Sequence, residues 1–596
     1  MMSPLIILQS LIISLGVQAF LLFIYFHYLG QLVITKFTSE FASQYDYIIV
    51  GSGTAGSVIG HRLATETDFK FIIIEAGSKS NNLFEIPALG PMLHSSIYDW
   101  QYETVPQENA CLAMNNQKCR LPQGKIVGGS SKLNNMVHVR GNISHYIDWF
   151  RGKYSKIHIM HQFDFIENTM LHLNEMQYNS ELATTMLDAA KELGYNVHNN
   201  TNFESGFSKV NLSQCNGKRW TISDNLDVSK HILYNTFVEK LILKTNLVRG
   251  VEVDILGKKH KIFANKGVIL AAGSYNSPKI LQLSGIGPSN LLNALNIPVI
   301  SDLPVGANLQ DHITTGFDLV LLNKSLTVDS MSLVNIFNVV EYFFNGKGPL
   351  TTAGCEIIGF VPTEDDETSK IQFMVIPVGI SSDRGCYLRK ALGVNDTVWN
   401  SYYVNLFDKH AVTILPILLH PKSIGEVNIN SNDPKLPPKI NPKYLSNKDD
   451  IAILVKGLKI IKKLVESKAM TKLGATLNLQ HFPGCEMFEL FSDLYWECYI
   501  RHLTLTSYHP VGTCSMGKRE DSVVDTSFKV YGVKNLYVAD ASVLPTLPSG
   551  NINAAVAMMA SLFFEDNIKL KPKINIFCLK LDYFLSYMVK MCFEHV

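Results

Sequence analysis

Two residues near the C-terminal end of this chain are suited to handling a hydroxyl group. His509 stands in Tyr508-His509-Pro510-Val511-Gly512-Thr513. An imidazole titrates near neutrality, so it can accept a hydroxyl proton at working pH. One histidine among 18 is more often structural than reactive, so its company decides. That company is an apolar strand over Leu536 to Asp540, a Pro/Gly loop, and then Gly550-Asn551-Ile552-Asn553-Ala554-Ala555. The small residues predict a helix start over Asn553 to Met559. A helix N-terminus stabilises negative charge on a bound group, and Asn553 is suited to hydrogen-bond a substrate oxygen. Helix capping is the ordinary alternative for either asparagine.

A second constellation lies near the start. Tyr45 to Val50 reads as a buried strand that stops at a glycine. Gly51, Gly53 and Gly56 fit G-x-G-x-x-G: a tight turn, a close approach to pyrophosphate, and close helix–strand packing. Ala55 to Ala64 supplies the helix, and Phe71 to Ile74 a second strand ending at Glu75, about 20 residues after the glycines, where an acid meets ribose hydroxyls. The acid suits NAD or FAD without separating them. Further on, Gly128-Gly129-Ser130-Ser131 forms a small-residue turn with exposed N–H groups, able to wrap an anion or a planar ring.

These marks need elements to hold them. Residues 180–194 predict a helix, with Leu182, Met186, Ala189 and Leu193 near one face; Asn235 to Val253 predicts two strands; Lys266 to Ala272 predicts another. After it, Ser277 and Pro278 read as a helix start. Residues 301–312 form a turn-rich connector. Residues 316–420 carry no nucleotide motif but hold strand-like runs at Ile371 to Val378 and Val412 to Leu419, which points to a substrate domain on an antiparallel sheet. Residues 449–465 predict an amphipathic helix through Ile451, Leu454, Leu458, Ile461 and Leu464.

The length, 596 residues, permits several domains and a large core. A net charge of +1 gives no electrostatic case for nucleic acid. Residues 4–26 are almost wholly apolar, with no Lys or Arg before Lys36, which fits a secretory signal or signal anchor. Val17-Gln18-Ala19 is a usable cleavage site, so the mature protein is expected to be secreted, or membrane-anchored if the segment is retained. The 10 cysteines do not make a disulfide scaffold, although Cys111 and Cys119 are close enough to bridge a loop in an oxidising compartment. Sequons occur at Asn142, Asn199, Asn211, Asn323 and Asn395. No C-x-x-C, HExxH or other metal-ligand pattern is present, so no metal is expected.

With these motifs assembled, the chain resembles the glucose–methanol–choline family of FAD oxidoreductases, especially its insect glucose-dehydrogenase-like branch. The resemblance runs from about Tyr45 to about Met559 through GSGTAGS, GKIVGGSSKLNNMVHVRG, GSYNSPKILQLSGIGP, LPVGANLQDH, GPLTTAG, HPVGT and VADAS…GNINA. It implies an α/β fold: a Rossmann-like FAD-binding domain with an interleaved α+β substrate domain on an antiparallel sheet. The expected divisions are a signal or anchor over 1–30, an N-terminal FAD-binding region over 45–315, a substrate region over 316–419, a C-terminal region over 420–562 and a tail over 563–596. It also implies noncovalent FAD held by Gly51, Gly53, Gly56 and Glu75, with the Gly-Gly-Ser-Ser turn and Asn134 against the isoalloxazine and ribityl arm. Val238 would meet the adenine side, and Asp540 and Ala541 would close over the pyrophosphate and ribityl chain. Thr54, Ala55, Ala76, Val127, Gly129, Ser130, Met136, Val137, Asn551 and Ala555 complete the implied cofactor-binding set.

His509 matches the family's catalytic histidine and Asn553 its second position. The implied reaction is oxidation of an alcohol: His509 takes the hydroxyl proton, Asn553 orients the oxygen, hydride passes to flavin N5, and oxygen, a quinone or another acceptor reoxidises the flavin. An FAD-containing lyase and a non-catalytic secreted flavoprotein are the competing readings. An NAD dehydrogenase leaves the GGSS and GNINA segments unexplained. Several residues depart from the family pattern. His138 replaces a common aromatic residue, and Leu133 replaces the histidine through which some members attach FAD. Asn135 stands near the flavin N5 position where a small residue is usual, and Ser561 replaces a common acid. The 151–180 stretch lacks the family's glycine-rich block.

Overall fold

The strand expected at the N-terminal glycine motif runs over Gln44–Val50, and its last four residues are buried. A run this apolar requires cover on both faces. It lies inside a seven-stranded sheet ordered Ile232–Leu233, Phe71–Ile74, Gln44–Val50, Lys258–Leu270, Leu247–Ile255, Thr236–Lys244, with Leu536–Val538 also paired to Lys258–Leu270. The pairings around the first strand and that of Leu536–Val538 are parallel, whereas Thr236–Lys244, Leu247–Ile255 and Lys258–Leu270 form an antiparallel meander. This is a computed structural model, and it describes residues 41–176, 178, 180–199, 204–326, 335–362 and 369–569. The expected leader over 1–30 and all but the first residues of the 563–596 tail lie outside that set.

One long strand joins the two halves of the sheet. Residues 258–263 pair with the meander and 263–270 with the first strand. The sequence reading recovered only the second part, because Lys258-Lys259-His260-Lys261 sits on the exposed meander and lacks the apolar run of a doubly covered strand. The helix Thr54–Glu66 covers one face with Ala55, Val58, Ile59 and Leu63 buried, and packs on the helix Ile552–Asn567. Buried Arg62 ties the two: its Nη1 donates to the Ser561 carbonyl (3.0 Å) and hydroxyl (2.9 Å), while its Nε pairs with Glu66 at 2.6 Å. Glu66, with Glu565 further off at 3.8 Å, thus supplies the negative charge that Ser561 lacks.

The helix expected from Ser277-Pro278 begins earlier, over Gly273–Leu283. Proline inside a helix removes the N–H that would bond the carbonyl four residues back. That carbonyl belongs to Ser274, and it accepts the Thr513 hydroxyl at 2.7 Å instead. The HPVGT segment therefore repairs the helix it packs against.

The second sheet has nine strands ordered Ala475–Leu477, Val320–Leu322, His410–Leu418, Ser369–Ile376, Ile357–Pro362, Gly206–Lys209, Val197–His198, with Ile313–Thr314 also paired to His410–Leu418 and Leu505–Thr506 paired in turn to Ile313–Thr314. Antiparallel pairing dominates, as the sequence reading of 316–420 expects, but strands from residues 197–209 and 475–506 complete it. The helix Lys448–Val465 packs on this sheet through buried Ile451, Leu454, Leu458, Ile461 and Leu464, the stripe its periodicity predicts. The helix over Glu181–Glu192 likewise buries Leu182, Met186 and Ala189.

Cys111 and Cys119 form the expected disulfide, with Cα atoms 5.9 Å apart. A second joins Cys485 to Cys498, at 5.8 Å. Among the described residues, Cys485, Cys498 and His502 stand close enough to share a cation, but the disulfide consumes both thiolates. Among the described residues no helix is long and apolar enough to cross a membrane.

Gly51 has φ +102°, and a Cβ there would lie 2.4 Å from the Ala271 carbonyl oxygen. Gly51→Ala is expected to destabilise the protein by about 1–3 kcal/mol, read as a lowered urea midpoint with unchanged m; an unchanged midpoint contradicts the role of this turn.

Candidate active site

The two sheets meet around one cavity of about 460 Å³. Its dinucleotide side is built from backbone. A Cβ added at Gly53 meets nothing within 4 Å, because that face opens into the cavity, and a Cβ at Gly129 would lie 2.9 Å from Gly53 Cα. The Gly51–Gly56 turn and the Gly128–Ser131 turn therefore close on each other, joined by the Gly128 N–H to the Ser52 hydroxyl at 3.3 Å. No side chain caps the N-terminus of Thr54–Glu66, which leaves its first N–H groups for an anion. Glu75 is buried at the second strand's tip, where its Oε2 accepts from the Ser52 N–H (3.0 Å) and hydroxyl (2.7 Å), and Oε1 from the Gly77 N–H (2.8 Å). Burial pushes its carboxyl up while these donors oppose the shift.

Of the residues implied for the cofactor, Gly51, Gly53, Thr54, Ala55, Glu75, Ala76, Gly129, Ser130, Asn134, Met136, Val137, Val238, Asp540, Ala541 and Asn551 line the cavity. Three do not. Gly56 is packing, since its Cβ would lie 2.0 Å from the Gly51 carbonyl oxygen. Val127 is buried in the core one residue before the turn that does line the wall, and Ala555 faces the core from inside its helix. Asp540 touches the cavity, but its carboxylate is engaged by the Gly273 N–H (2.8 Å), the Ser277 hydroxyl (2.5 Å) and Ser542. It fixes the second strand–helix turn.

The glycine turns, the bare helix N-terminus and buried Glu75 fit the pyrophosphate and ribose of FAD. Leu133, buried against Phe84 and Ile126, offers no atom for a covalent link at the position where some relatives have one. Asn134 is oriented by donors to its Oδ1, Arg219 Nη1 at 2.8 Å and the Met136 N–H at 3.0 Å. Its Nδ2 is thereby kept for the cavity. Burial lowers the Arg219 guanidinium to about 9. His138, the departure from an aromatic residue, donates from Nε2 to the Glu167 carboxylate at 2.8 Å, beside Arg140. Burial raises the Glu167 carboxyl, but His138 and Arg140 outweigh it and hold it at about 2.

At the other end of the cavity, His509 is held from three directions. Its backbone N–H donates to Asp311 Oδ1 at 2.9 Å, its Nδ1 lies 2.9 Å from His312 Nδ1, and its Nε2 lies 3.3 Å from Asn551 Nδ2. Asp311 is buried and also accepts the Tyr444 and Thr506 hydroxyls, both at 2.6 Å. Burial raises its carboxyl to about 6 against these donors. Tyr508, just before His509, sits at φ +64°, a costly conformation for a bulky residue.

Asn551, not Asn553, is the partner of His509. Asn551 precedes the helix with extended backbone and makes no capping bond, so its side chain turns to His509, with Oδ1 accepting from Gln372 Nε2 at 3.1 Å. Asn553 lies inside the helix and turns to the glycine motif, where its Oδ1 accepts the Thr54 hydroxyl at 2.5 Å. The sequence places Asn553 at a substrate oxygen, whereas the asparagine beside His509 is Asn551, because the two side chains leave the helix start in different directions.

Asp311, His312, Gln372 and Arg219 were not singled out from sequence. The Asp-His pair closing LPVGANLQDH was the available signal for the first two. Gln372 lies in an apolar strand where its type looks incidental.

The bonds around His509 have a direction. His312 Nε2 lies 3.0 Å from the Leu419 carbonyl, which can only accept, so Nε2 carries the proton. Burial holds His312 well below its ordinary range, so the ring is neutral and its Nδ1 is an acceptor. His509 Nδ1 must then be the donor, which leaves His509 Nε2 unprotonated toward Asn551 and the cavity.

Comparison with known proteins agrees with this architecture. Family models described as GMC oxidoreductase match residues 45–314 and 421–560. The chain is 31% identical to "Glucose dehydrogenase [FAD, quinone]" of Drosophila melanogaster over 88% of this chain and 87% of that one. It is 29% identical to ecdysone oxidase of Spodoptera littoralis over 87% and 90%. Among solved structures, pyridoxine 4-oxidase from Mesorbium loti superposes with a TM-score of 0.72 at 25% identity, covering 87% of this chain and 98% of that one. Formate oxidase shares the fold at a TM-score of 0.76 and 24% identity, covering 88% and 98%. The chain belongs to the GMC oxidoreductase family.

The tautomers are testable directly. Nitrogen-15 spectra of histidine-labelled protein are expected to show His312 protonated at Nε2 and His509 at Nδ1, assigned with His312→Asn and His509→Asn variants. The opposite pattern at either ring overturns the directed chain.

Proposed function

We propose that this protein oxidises an alcohol with bound FAD, His509 serving as the base. The observation that carries this reading is the unprotonated Nε2 of His509 directed into the cavity beside the Asn551 amide. The family relation supports it, since matched relatives carry the names of glucose dehydrogenase, ecdysone oxidase and alcohol dehydrogenase. When bound, FAD supplies the acceptor for hydride from the carbinol carbon and returns to its oxidised state through oxygen, a quinone or another acceptor.

The protein's own part is positioning and proton transfer. A hydroxyl that replaces the direct contact of Asn551 Nδ2 with His509 Nε2, 3.3 Å in this structure, meets one acceptor and one donor. His509 takes its proton, and Asn551 stabilises the charge that develops on the oxygen. The imidazolium so formed keeps its Nδ1–H on His312 Nδ1, so the cation gains a fixed acceptor without ring movement. Gln372 holds the Asn551 oxygen and so keeps Nδ2 toward the substrate. Asn553 and Thr54 serve the cofactor side instead.

We further propose the secretory route for this chain. The apolar stretch over residues 4–26 and two disulfides support it, because such bonds persist in oxidising compartments.

Burial pushes His509 from its ordinary value of 6.5 down to about 3. Its neutral form therefore persists across neutral pH. The stability that this neutral burial contributes is present above pH 6.5 and is lost as pH falls toward 3, since the unfolded chain takes up the proton first. Anaerobic flavin reduction by substrate is expected to show no ionisation near pH 6.5; a clear inflection there counts against this assignment. His509→Ala is expected to slow that reduction by about 10²–10⁴-fold with FAD retained. Unchanged reduction would falsify the role. Asn551→Ala is expected to slow it by about 10²–10³-fold, whereas Asn553→Ala mainly weakens FAD retention, measured by cofactor release on dilution.

A further inference from the structure

Resting on the alcohol-oxidation reading above, we propose that the substrate is a lipophilic alcohol whose apolar body packs on the second sheet, and that sugars and quaternary amino-alcohols are excluded. The side of the cavity facing away from the glycine turns is walled by the second sheet. On its inner face Met374 stands opposite Leu415 and Ile376 opposite Thr413. Met92, Phe317 and Leu388 complete this wall. Behind it Ile358, Phe360 and Ile417 pack as one apolar cluster with Met374 and Leu415.

Several polar groups on this side are engaged by the protein's own loops. Three acids line the cavity, Glu75, Asp383 and Asp540, and two of them belong to the strand ends of the dinucleotide side. Asp383 alone could face a substrate. Its Oδ1 accepts the Gly385 N–H at 2.9 Å, and its Oδ2 the Tyr387 and Leu388 N–H groups, both at 2.7 Å. The Ser382 hydroxyl donates to the Gly379 carbonyl at 2.7 Å, the Thr352 hydroxyl accepts the Gly354 N–H at 3.0 Å, and the Thr314 hydroxyl donates to the Pro416 carbonyl at 3.0 Å. The Thr413 hydroxyl is buried and has no hydrogen-bond partner among the described residues.

A sugar needs a partner for each hydroxyl it buries, and an unpaired one carries its full desolvation penalty. A quaternary ammonium needs a free carboxylate or an aromatic cage. This wall offers too few partners for a sugar, and its one carboxylate, Asp383, is engaged by backbone N–H groups. The wall offers apolar area, which rewards each methylene added to a substrate by about fourfold in affinity. The carbinol itself is served by His509 and Asn551.

The test uses the full-length FAD-loaded protein and two ligand sets. Tertiary alcohols, such as 2-methylpropan-2-ol through 2-methyldecan-2-ol, have no carbinol hydrogen to lose, so calorimetry reads their binding without turnover. Primary alcohols of matched length, with glucose and choline, are then mixed anaerobically with the oxidised enzyme while flavin absorbance is followed. The proposal expects tertiary-alcohol Kd to fall about fourfold per methylene over the first several carbons, the long primary alcohols to bleach the flavin fastest, and glucose and choline to do neither. Met374→Gln, which nearly conserves volume, is expected to weaken the longest alcohol about 10-fold by adding a polar group to the wall. A Kd independent of chain length, or glucose or choline bleaching faster than the long alcohols, overturns the lipophilic assignment and leaves alcohol oxidation standing. Chain-length-dependent binding with no bleaching by any primary alcohol overturns the oxidation reading, and with it the assignment of this wall to a substrate.

Discussion

A single buried carboxylate decides where His509 stands. Asp311 accepts the His509 backbone N–H and the hydroxyls of Tyr444 and Thr506, so two segments far from it in sequence, around 444 and 506–509, converge on one group. A carboxylate out of water must be satisfied by such donors or become a large penalty. Losing any one of them would loosen the others. The neighbouring His312 takes the ring of the same histidine and anchors it to the Leu419 carbonyl. One dipeptide thereby sets both the main chain and the tautomer of the histidine that faces the cavity.

The same economy holds the rest of the cavity. Asp540 fixes the Gly273 turn, Thr513 repairs the carbonyl freed by Pro278, and Gln310 and Asn308 both donate to the Pro545 carbonyl, at 3.0 and 2.9 Å. Each bond joins a segment before residue 313 to one after residue 506, the two ends of the stretch that supplies most of the second sheet. The sheet can therefore be inserted between the two halves of the dinucleotide domain without separating the cofactor wall from His509. The glycine turns need no side chains to make contact, because their function is to bring bare N–H groups to the cavity.

Polar satisfaction also shapes what the cavity offers. On the dinucleotide side the glycine turns leave backbone donors open. On the side of the second sheet, several hydroxyls and the Asp383 carboxylate close upon their own loops, and methyl, methylene and ring groups face inward. The contrast follows from local chemistry: Ser, Thr and Asp in tight loops bond neighbouring backbone groups, whereas a strand's alternation directs its apolar residues to one face.

Much of the fold was legible in the residues. The strand ending at Gly51, the helix after it, Glu75 at the next strand tip and the amphipathic helix through Ile451 and Leu464 are local patterns of 2.0 or 3.6 periodicity with strong stop signals. The Cys111–Cys119 bridge was legible because the two are near in sequence. Tertiary structure alone decided the rest. Strands at 197–209 and 475–506 join the substrate sheet through pairings that no local pattern specifies, and Cys485 finds Cys498 only because a loop folds back on a helix. The exchange of Asn553 for Asn551 turned on side-chain direction at a helix start. Asp311, His312 and Gln372 escaped notice because their role lies in which groups they meet, and those lie up to hundreds of residues away. Residue types determined that a dinucleotide site was present and that a histidine lay in a motif beside it; only the packing of distant segments determined which nitrogen of His509 faces the cavity and what kind of wall stands opposite.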